Sequence, residues 1–116
     1  MVFNFNLSMT IAELCIVIMV FVPLLCTGLA KSSASYSNRY PRLYRETLVD
    51  WRQRAGWAEN NTYENFAPFA VAVLLAEFHH VAQAQVDALA MAFVAARLLY
   101  VVAYVADWPT VRFVLW

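Results

Sequence analysis

The stretch RAGWAENNTYENFAPF, Arg54 to Phe69, runs directly into the apolar sequence AVAVLLA at 70–76. Together they are long enough to cross a membrane as a helix, yet Arg54, Asn61 and Glu64 lie where such a helix usually carries apolar residues. A charged side chain at bilayer depth costs roughly 2.5–3.5 kcal/mol even on the most lenient scale. Polar residues are rarely kept there without a role, so this stretch is the first candidate for a functional site.

The composition is that of a helical membrane protein. Of the 116 residues, 63% are hydrophobic and 14% are charged, whereas a soluble domain averages about 45–50% and 25%. The series of alternating ten-residue strands that a transmembrane barrel needs is missing from the sequence. We therefore predict a single all-α transmembrane domain over residues 1–116. The net charge of zero argues against a nucleic-acid partner.

Apolar runs separated by polar breaks predict an antiparallel four-helix transmembrane bundle. The predicted spans are 7–30, 57–81 and 86–106, with the start of a fourth helix at 110. The link between the second and third spans is short, which makes them a hairpin. The chain is expected to carry only the opening of the fourth helix.

Residues 31–56 form a polar connection that carries six of the eight lysines and arginines. The positive-inside rule therefore places this loop in the cytoplasm. Within it, the pair Tyr40-Pro41 disfavours helix at Tyr40, and a short surface helix is expected from Pro41 onward.

Two groups of polar residues are spaced to share helix faces. Arg54, Asn61 and Glu64 supply a cation, an amide and a carboxylate, a set suited to a zwitterionic peptide. Arg97, Tyr100 and Tyr104 are spaced i, i+3, i+7 and likewise share one face of the third span.

Arg112 lies just past the turn that ends the third span. There it is expected to reach the rim of the pocket that these two polar faces would form. An arginine beside a thiol lowers the pKa of that thiol and stabilises the nucleophilic thiolate.

Two simpler interpretations stay open beside this one. The polar faces can pair with each other, with Glu64 and Arg97 as a buried ion pair between helices and no ligand. Near the far end of the second span, Glu77, His79 and His80 are expected to form a polar cap and no metal site, because adjacent histidines diverge on a helix.

Five segments carry a resemblance to a known family. They are LCTGLAK at 25–31, YSNRYPR at 36–42, WRQRA at 51–55, NNTYENFAPFAVAVLLA at 60–76 and ARLLYVVAYVADWPTVR at 96–112. Together they resemble the MAPEG family, membrane-associated proteins of eicosanoid and glutathione metabolism, and are most similar to its short bacterial members. The resemblance covers essentially the whole chain.

The resemblance implies a homotrimer in the bacterial inner membrane, with glutathione bound as co-substrate between neighbouring subunits. It implies glutathione contacts for Asn61, Glu64, Tyr100 and Tyr104, with Arg97 close by. Arg112 corresponds, to within about one position, to the arginine that activates the thiol.

One departure from the family pattern concerns an arginine. In the best-known eukaryotic members an arginine lies four residues before the asparagine. Here Trp57 occupies that position, and Arg54 lies one heptad before Asn61.

The function expected from the resemblance is a glutathione-dependent transferase or peroxidase that acts on lipophilic electrophiles or lipid hydroperoxides. The alternative is a non-catalytic accessory or structural subunit of a larger membrane complex, because a family can keep its fold and lose its chemistry. The sequence leaves enzyme and non-enzyme both open.

Overall fold

A computed structural model describes residues 8–116, and all of its regular structure is helical. The helices are α1 (Ile11–Ala30), α2 (Pro41–Glu46), α3 (Asp50–Phe78), α4 (Gln83–Val105) and α5 (Pro109–Leu115). Helix α1 packs against α3 and α4, α3 packs against α4, and α5 contacts α4. The described chain is therefore a bundle of three long helices with two short ones.

The second long helix begins earlier than the sequence predicted. The polar residues 50–56 were assigned to the loop, but they form the first two turns of α3. Polarity was misleading here because arginine and glutamine are good helix formers when a helix extends beyond the hydrocarbon. The short helix predicted from Pro41 is observed as α2. The predicted start of the first span at residue 7 lies outside the described residues.

Left-handed turns end α3 and α4. His80 has φ 54° and Asp107 has φ 61°. In each turn an amide reaches back five residues: Val81 N donates to Ala76 O at 3.0 Å and Trp108 N donates to Ala103 O at 2.8 Å. This is the Schellman pattern. His80 thus helps to end α3 before residue 81, the predicted end of that span.

The core of the bundle follows heptad-like stripes on the three long helices. On α1 the stripe contains Ala12, Cys15, Met19 and Val22, on α3 Phe69 and Val73, and on α4 Val86, Ala90 and Val94. The Phe69 and Phe93 rings stack with centroids 4.1 Å apart. Burial of these side chains packs the three long helices against one another.

Carboxylates hold together the end of the bundle where α1 begins. Ala12 N donates to Asp87 Oδ1 at 2.9 Å, and Thr10 Oγ1 donates to Glu77 Oε1 at 2.6 Å. Gln83 Nε2 donates to both carboxylates. One free amide at the start of α1 is thereby satisfied by a side chain from α4.

Helices α1 and α4 are long and apolar enough to cross a membrane. Their outer faces expose many large hydrophobic side chains, including Phe21, Leu25, Leu89 and Leu99. Soluble monomers rarely expose apolar patches of this extent. These faces are suited to lipid or to neighbouring membrane helices.

Replacing Asp87 with alanine should lower the free energy of unfolding by about 1–2 kcal/mol, because the Ala12 amide loses its charged acceptor. Thermal unfolding of the purified protein in detergent measures the change. Gln85→Ala is the matched control, since Gln85 is exposed on the same turn of α4 and its side chain makes no hydrogen bond within residues 8–116. Equal melting of the two variants would show that the Asp87 contact contributes nothing.

Candidate functional site

The buried stripe of α4 continues past Val94 into Arg97, which is only 2% exposed. Arg97 Nη2 donates to Asn61 Oδ1 across the α3–α4 interface at 2.7 Å. Arg97 Cζ also lies 4.1 Å from the centroid of the buried Tyr100 ring. Burial of a guanidinium requires such partners. Arg97 Nε is buried without a hydrogen-bond partner among the described residues.

A chain of ring contacts leads from Arg97 to α5. The Tyr100 and Tyr104 rings meet edge to face with centroids 5.6 Å apart, and Arg112 Cζ lies 4.4 Å from the Tyr104 centroid. An open cleft of about 460 Å³ lies here, lined by Tyr100, Tyr104, Pro109, Arg112, Phe113 and Trp116. Within residues 8–116 no carboxylate lies within 4.0 Å of the Arg112 guanidinium. The cleft therefore has a cation that the described chain leaves unneutralised.

Glu64 lies on the outer flank of this cluster. Its side chain is exposed, and within residues 8–116 it accepts one long hydrogen bond, from Asn61 Nδ2 to Glu64 Oε2 at 3.5 Å. The ion pair considered between Glu64 and Arg97 is not formed in residues 8–116, so that pairing was wrong. The two polar faces do meet, but through Arg97 and Asn61. Asn61 is half-buried on α3 and accepts the hydrogen bond from Arg97, whereas Glu64, almost a full turn further along, is exposed.

Arg54 is placed apart from the cluster. Its Nε donates to the carbonyl of Val105, the last residue of α4, at 3.1 Å. A cation at this point satisfies a free carbonyl and interacts favourably with the negative end of the helix dipole. Asn61, Arg97, Tyr100, Tyr104 and Arg112 are thus linked by direct contacts, and Arg54 caps α4.

The sequence analysis missed the most buried acid of the chain. Glu59 is 6% exposed and makes a two-pronged ion pair with Arg45 of α2, with Nη2 to Oε2 at 2.6 Å and Nη1 to Oε1 at 3.3 Å. The missed signal is a heptad-like stripe on α3, formed by Ala55, Glu59, Thr62, Phe66, Phe69 and Val73. That stripe marks the inner face of α3, so the Asn61–Glu64 face is its flank.

Helix α2 has no buried residue of its own. Two contacts attach it to the bundle, the Arg45–Glu59 ion pair and the packing of Tyr44 against Ala30, Leu48 and Ala55. We expect Glu59→Gln to lower the unfolding free energy by about 2 kcal/mol, because Arg45 loses a charged partner. Glu46→Gln is the control, since Glu46 is the exposed neighbour of Arg45. Chemical unfolding of both variants, with Arg45→Met to complete a double-mutant cycle, measures the pairing energy. A coupling energy near zero would contradict this prediction.

A separate cleft of about 300 Å³ lies between α3 and α4 toward the other end of the bundle. Its lining is almost entirely apolar: Phe69, Ala72, Val73, Ala76, Val81, Gln85, Val86, Leu89, Ala90 and Phe93. Such a surface suits hydrocarbon and offers little to a charged ligand. This cleft is therefore a poorer place for a polar ligand than the cleft lined by Tyr100, Tyr104 and Arg112.

The comparisons with known proteins agree with this helical membrane architecture. The family model for the MAPEG family matches residues 9–116, essentially the whole described chain. No curated protein and no solved structure matched the chain. Since the match covers both the helices and the polar cluster, the chain belongs to the MAPEG family of membrane proteins.

Proposed function

We propose that the chain is a glutathione-dependent membrane transferase or peroxidase that acts on lipophilic electrophiles or lipid hydroperoxides. The observation that carries the proposal is Arg112, a cation without a carboxylate partner in the described chain, at an open cleft lined by Tyr100 and Tyr104. A cation kept at such a cleft is suited to stabilise an anion. Family membership supports the choice of glutathione as that anion's source.

The side chains present are chemically suited to glutathione, a tripeptide with two carboxylates, one ammonium group and a thiol. Glu64 is exposed and free to accept hydrogen bonds from an ammonium group. Arg112 is available for an anion, and the Asn61 amide nitrogen makes only one long contact of its own. Arg54 and Arg97 fit less well as direct contacts, because both already donate within the protein.

Glutathione supplies a thiol that, as thiolate, forms a carbon–sulfur bond with an electrophile. With a hydroperoxide, the thiolate would attack the terminal oxygen, the O–O bond would break to release the lipid alcohol, and a second glutathione would reduce the resulting sulfenic acid to the disulfide and water. In this proposal Arg112 holds the negative charge of the thiolate, and stacking on Tyr104 fixes the guanidinium in place. Arg97 does not touch the thiol. It holds Asn61 in position through the 2.7 Å contact, and α3 and α4 stay in register as a result.

The cluster is on an exposed flank of a single chain, which agrees with a site completed by a neighbouring subunit. Glu64 and the nearby Tyr63 are both exposed. We propose a homotrimer in the bacterial inner membrane, with the 31–56 segment on the cytoplasmic side and lipophilic substrate arriving laterally from lipid. This assembly is inferred from the resemblance to the family.

A specific observation also favours the alternative of a non-catalytic accessory or structural subunit. Asn61 and Arg97 bond each other, and Arg54 bonds the α4 backbone, so much of the polar surface is satisfied within the chain. Recovery of the protein from mild detergent only as part of a larger membrane complex, without glutathione binding, would support this alternative.

Glu64→Gln should weaken glutathione binding about tenfold, because an ammonium group loses its charged acceptor. Isothermal calorimetry on the full chain in detergent measures the affinity, with Glu46→Gln as the control for charge removal outside the cluster. Absence of binding by the wild-type protein at several millimolar glutathione would overturn the glutathione proposal itself. Unchanged binding by Glu64→Gln would remove only Glu64 from the site.

Arg112→Ala should abolish thiolate formation by bound glutathione at neutral pH while the fold is retained, since Arg112 is not buried in the core. The ultraviolet difference spectrum of thiolate minus thiol is the measurement. Arg112→Lys keeps a positive charge and should retain part of the signal, and Arg39→Ala is the control for loss of an arginine elsewhere. A full thiolate signal in Arg112→Ala would rule out the role proposed for Arg112.

A further inference from the structure

The two ends of the bundle differ sharply in charge. Residues 31–56, which connect α1 to α3 and form the first turns of α3, contain six basic and two acidic residues, a net charge of +4. We call this the basic end. The opposite end carries Glu13, Glu77 and Asp87 with no lysine or arginine nearby in the sequence. The basic end therefore presents a strong positive field at one membrane surface.

Three arginines of the basic end are engaged within the protein. Arg45 pairs with Glu59, Arg52 Nη2 donates to Ser32 O at 2.9 Å, and Arg54 donates to Val105 O. Arg39 and Arg42 differ from them. Both are exposed, and within residues 8–116 neither has a carboxylate within 4.0 Å. These two cations are thus free to meet a partner outside the chain.

Apolar and aromatic side chains accompany the two free arginines. Tyr40 is 58% exposed and Leu43 is 61% exposed. Arg39 Cζ lies 5.5 Å from the Tyr40 ring centroid. With Pro41, Arg42 and the acidic Glu46, these residues line an open cavity of about 430 Å³, so two cations and one carboxylate face it. Two cations beside an exposed tyrosine and leucine match the layered chemistry of a lipid interface, where phosphate lies above hydrocarbon.

We propose that Arg39 and Arg42, with Tyr40 and Leu43, bind the headgroup region of anionic phospholipid. The guanidinium groups would pair with lipid phosphate, since arginine presents parallel donors to phosphate oxygens. Tyr40 and Leu43 would pack against the glycerol and upper acyl region. The candidate membrane span α1 ends at Ala30, and α2 begins soon after it at Pro41, so the proposal places this surface close to the headgroups.

The exposed apolar side chains of this surface favour lipid as its ligand. A soluble acidic partner or free phosphate would use the arginines but leave the exposed Leu43 and Tyr40 without a role. A polybasic surface next to a membrane gains roughly fivefold in affinity for anionic lipid per basic residue. Two free arginines together predict a preference on the order of tenfold or more over zwitterionic lipid. This proposal does not depend on glutathione chemistry.

Native mass spectrometry of the full, delipidated chain in neutral detergent tests the proposal. Titration with phosphatidylglycerol and, separately, with phosphatidylcholine gives an affinity for each lipid. We expect phosphatidylglycerol to bind about tenfold more tightly to the wild-type protein. Arg39→Gln/Arg42→Gln should lower that affinity to the phosphatidylcholine level. Arg39→Lys/Arg42→Lys should keep most of the preference, because lysine also neutralises phosphate.

Two further arms separate lipid from other anions. Replacing Leu43 with serine should weaken phosphatidylglycerol binding, whereas a site for free anions would not respond. Glycerol phosphate should compete poorly with the lipid. Equal binding of the two lipids by wild type, an unchanged preference in the double glutamine variant, or full displacement by glycerol phosphate would each overturn the proposal. All the replaced side chains are exposed, so the melting temperature should stay that of wild type.

Discussion

The burial of Arg97 is the constraint on which the polar half of this bundle depends. The side chain lies in the same stripe that packs Val86, Ala90 and Val94 against the neighbouring helices, so α4 cannot pack without enclosing a guanidinium. An unpaired charge in that position would cost several kcal/mol. Asn61 and the Tyr100 ring are the partners that the described chain supplies. The register of α3 against α4 is therefore fixed by a polar contact as well as by apolar packing.

The inner stripe of α3 changes from polar to apolar along the helix, and its buried polar side chains also need partners. Its second half packs through Phe69 and Val73, while its first half contributes Glu59 and Thr62 to the same inner stripe. Thr62 satisfies itself by donating to Ala58 O at 2.7 Å, whereas Glu59 needs Arg45 from α2. A charged residue on the inner stripe thus brings a surface helix into the structure. The ion pair adds to the apolar attachment of α2, in which Tyr44 packs against Ala30, Leu48 and Ala55.

Sequence reasoning found the helical membrane class and the family, and both are confirmed. Composition decided the class, and the motifs around Asn61 and Arg97 identified the family. It misplaced the start of α3, because polar residues 50–56 look like loop when only hydropathy is considered. It also missed Glu59, because only the stripe with Arg54, Asn61 and Glu64 was considered on this helix. Which of two polar stripes faces inward depends on contacts with α1, and these are set by the tertiary fold.

The two arginines of the cluster therefore have different physical roles. Arg97 is buried and its contacts hold the helices, so a ligand that took its guanidinium would have to break the contact with Asn61. Arg112 is partly exposed on a short helix that adds nothing buried to the core, and it rests on Tyr104 without a carboxylate partner in the described chain. Glu64 is exposed and Arg112 is partly exposed, so a ligand of the proposed site would reach both without displacing a buried side chain. Binding there leaves the buried contacts intact, which is why the outer residues are the better candidates for chemistry and the inner ones for support.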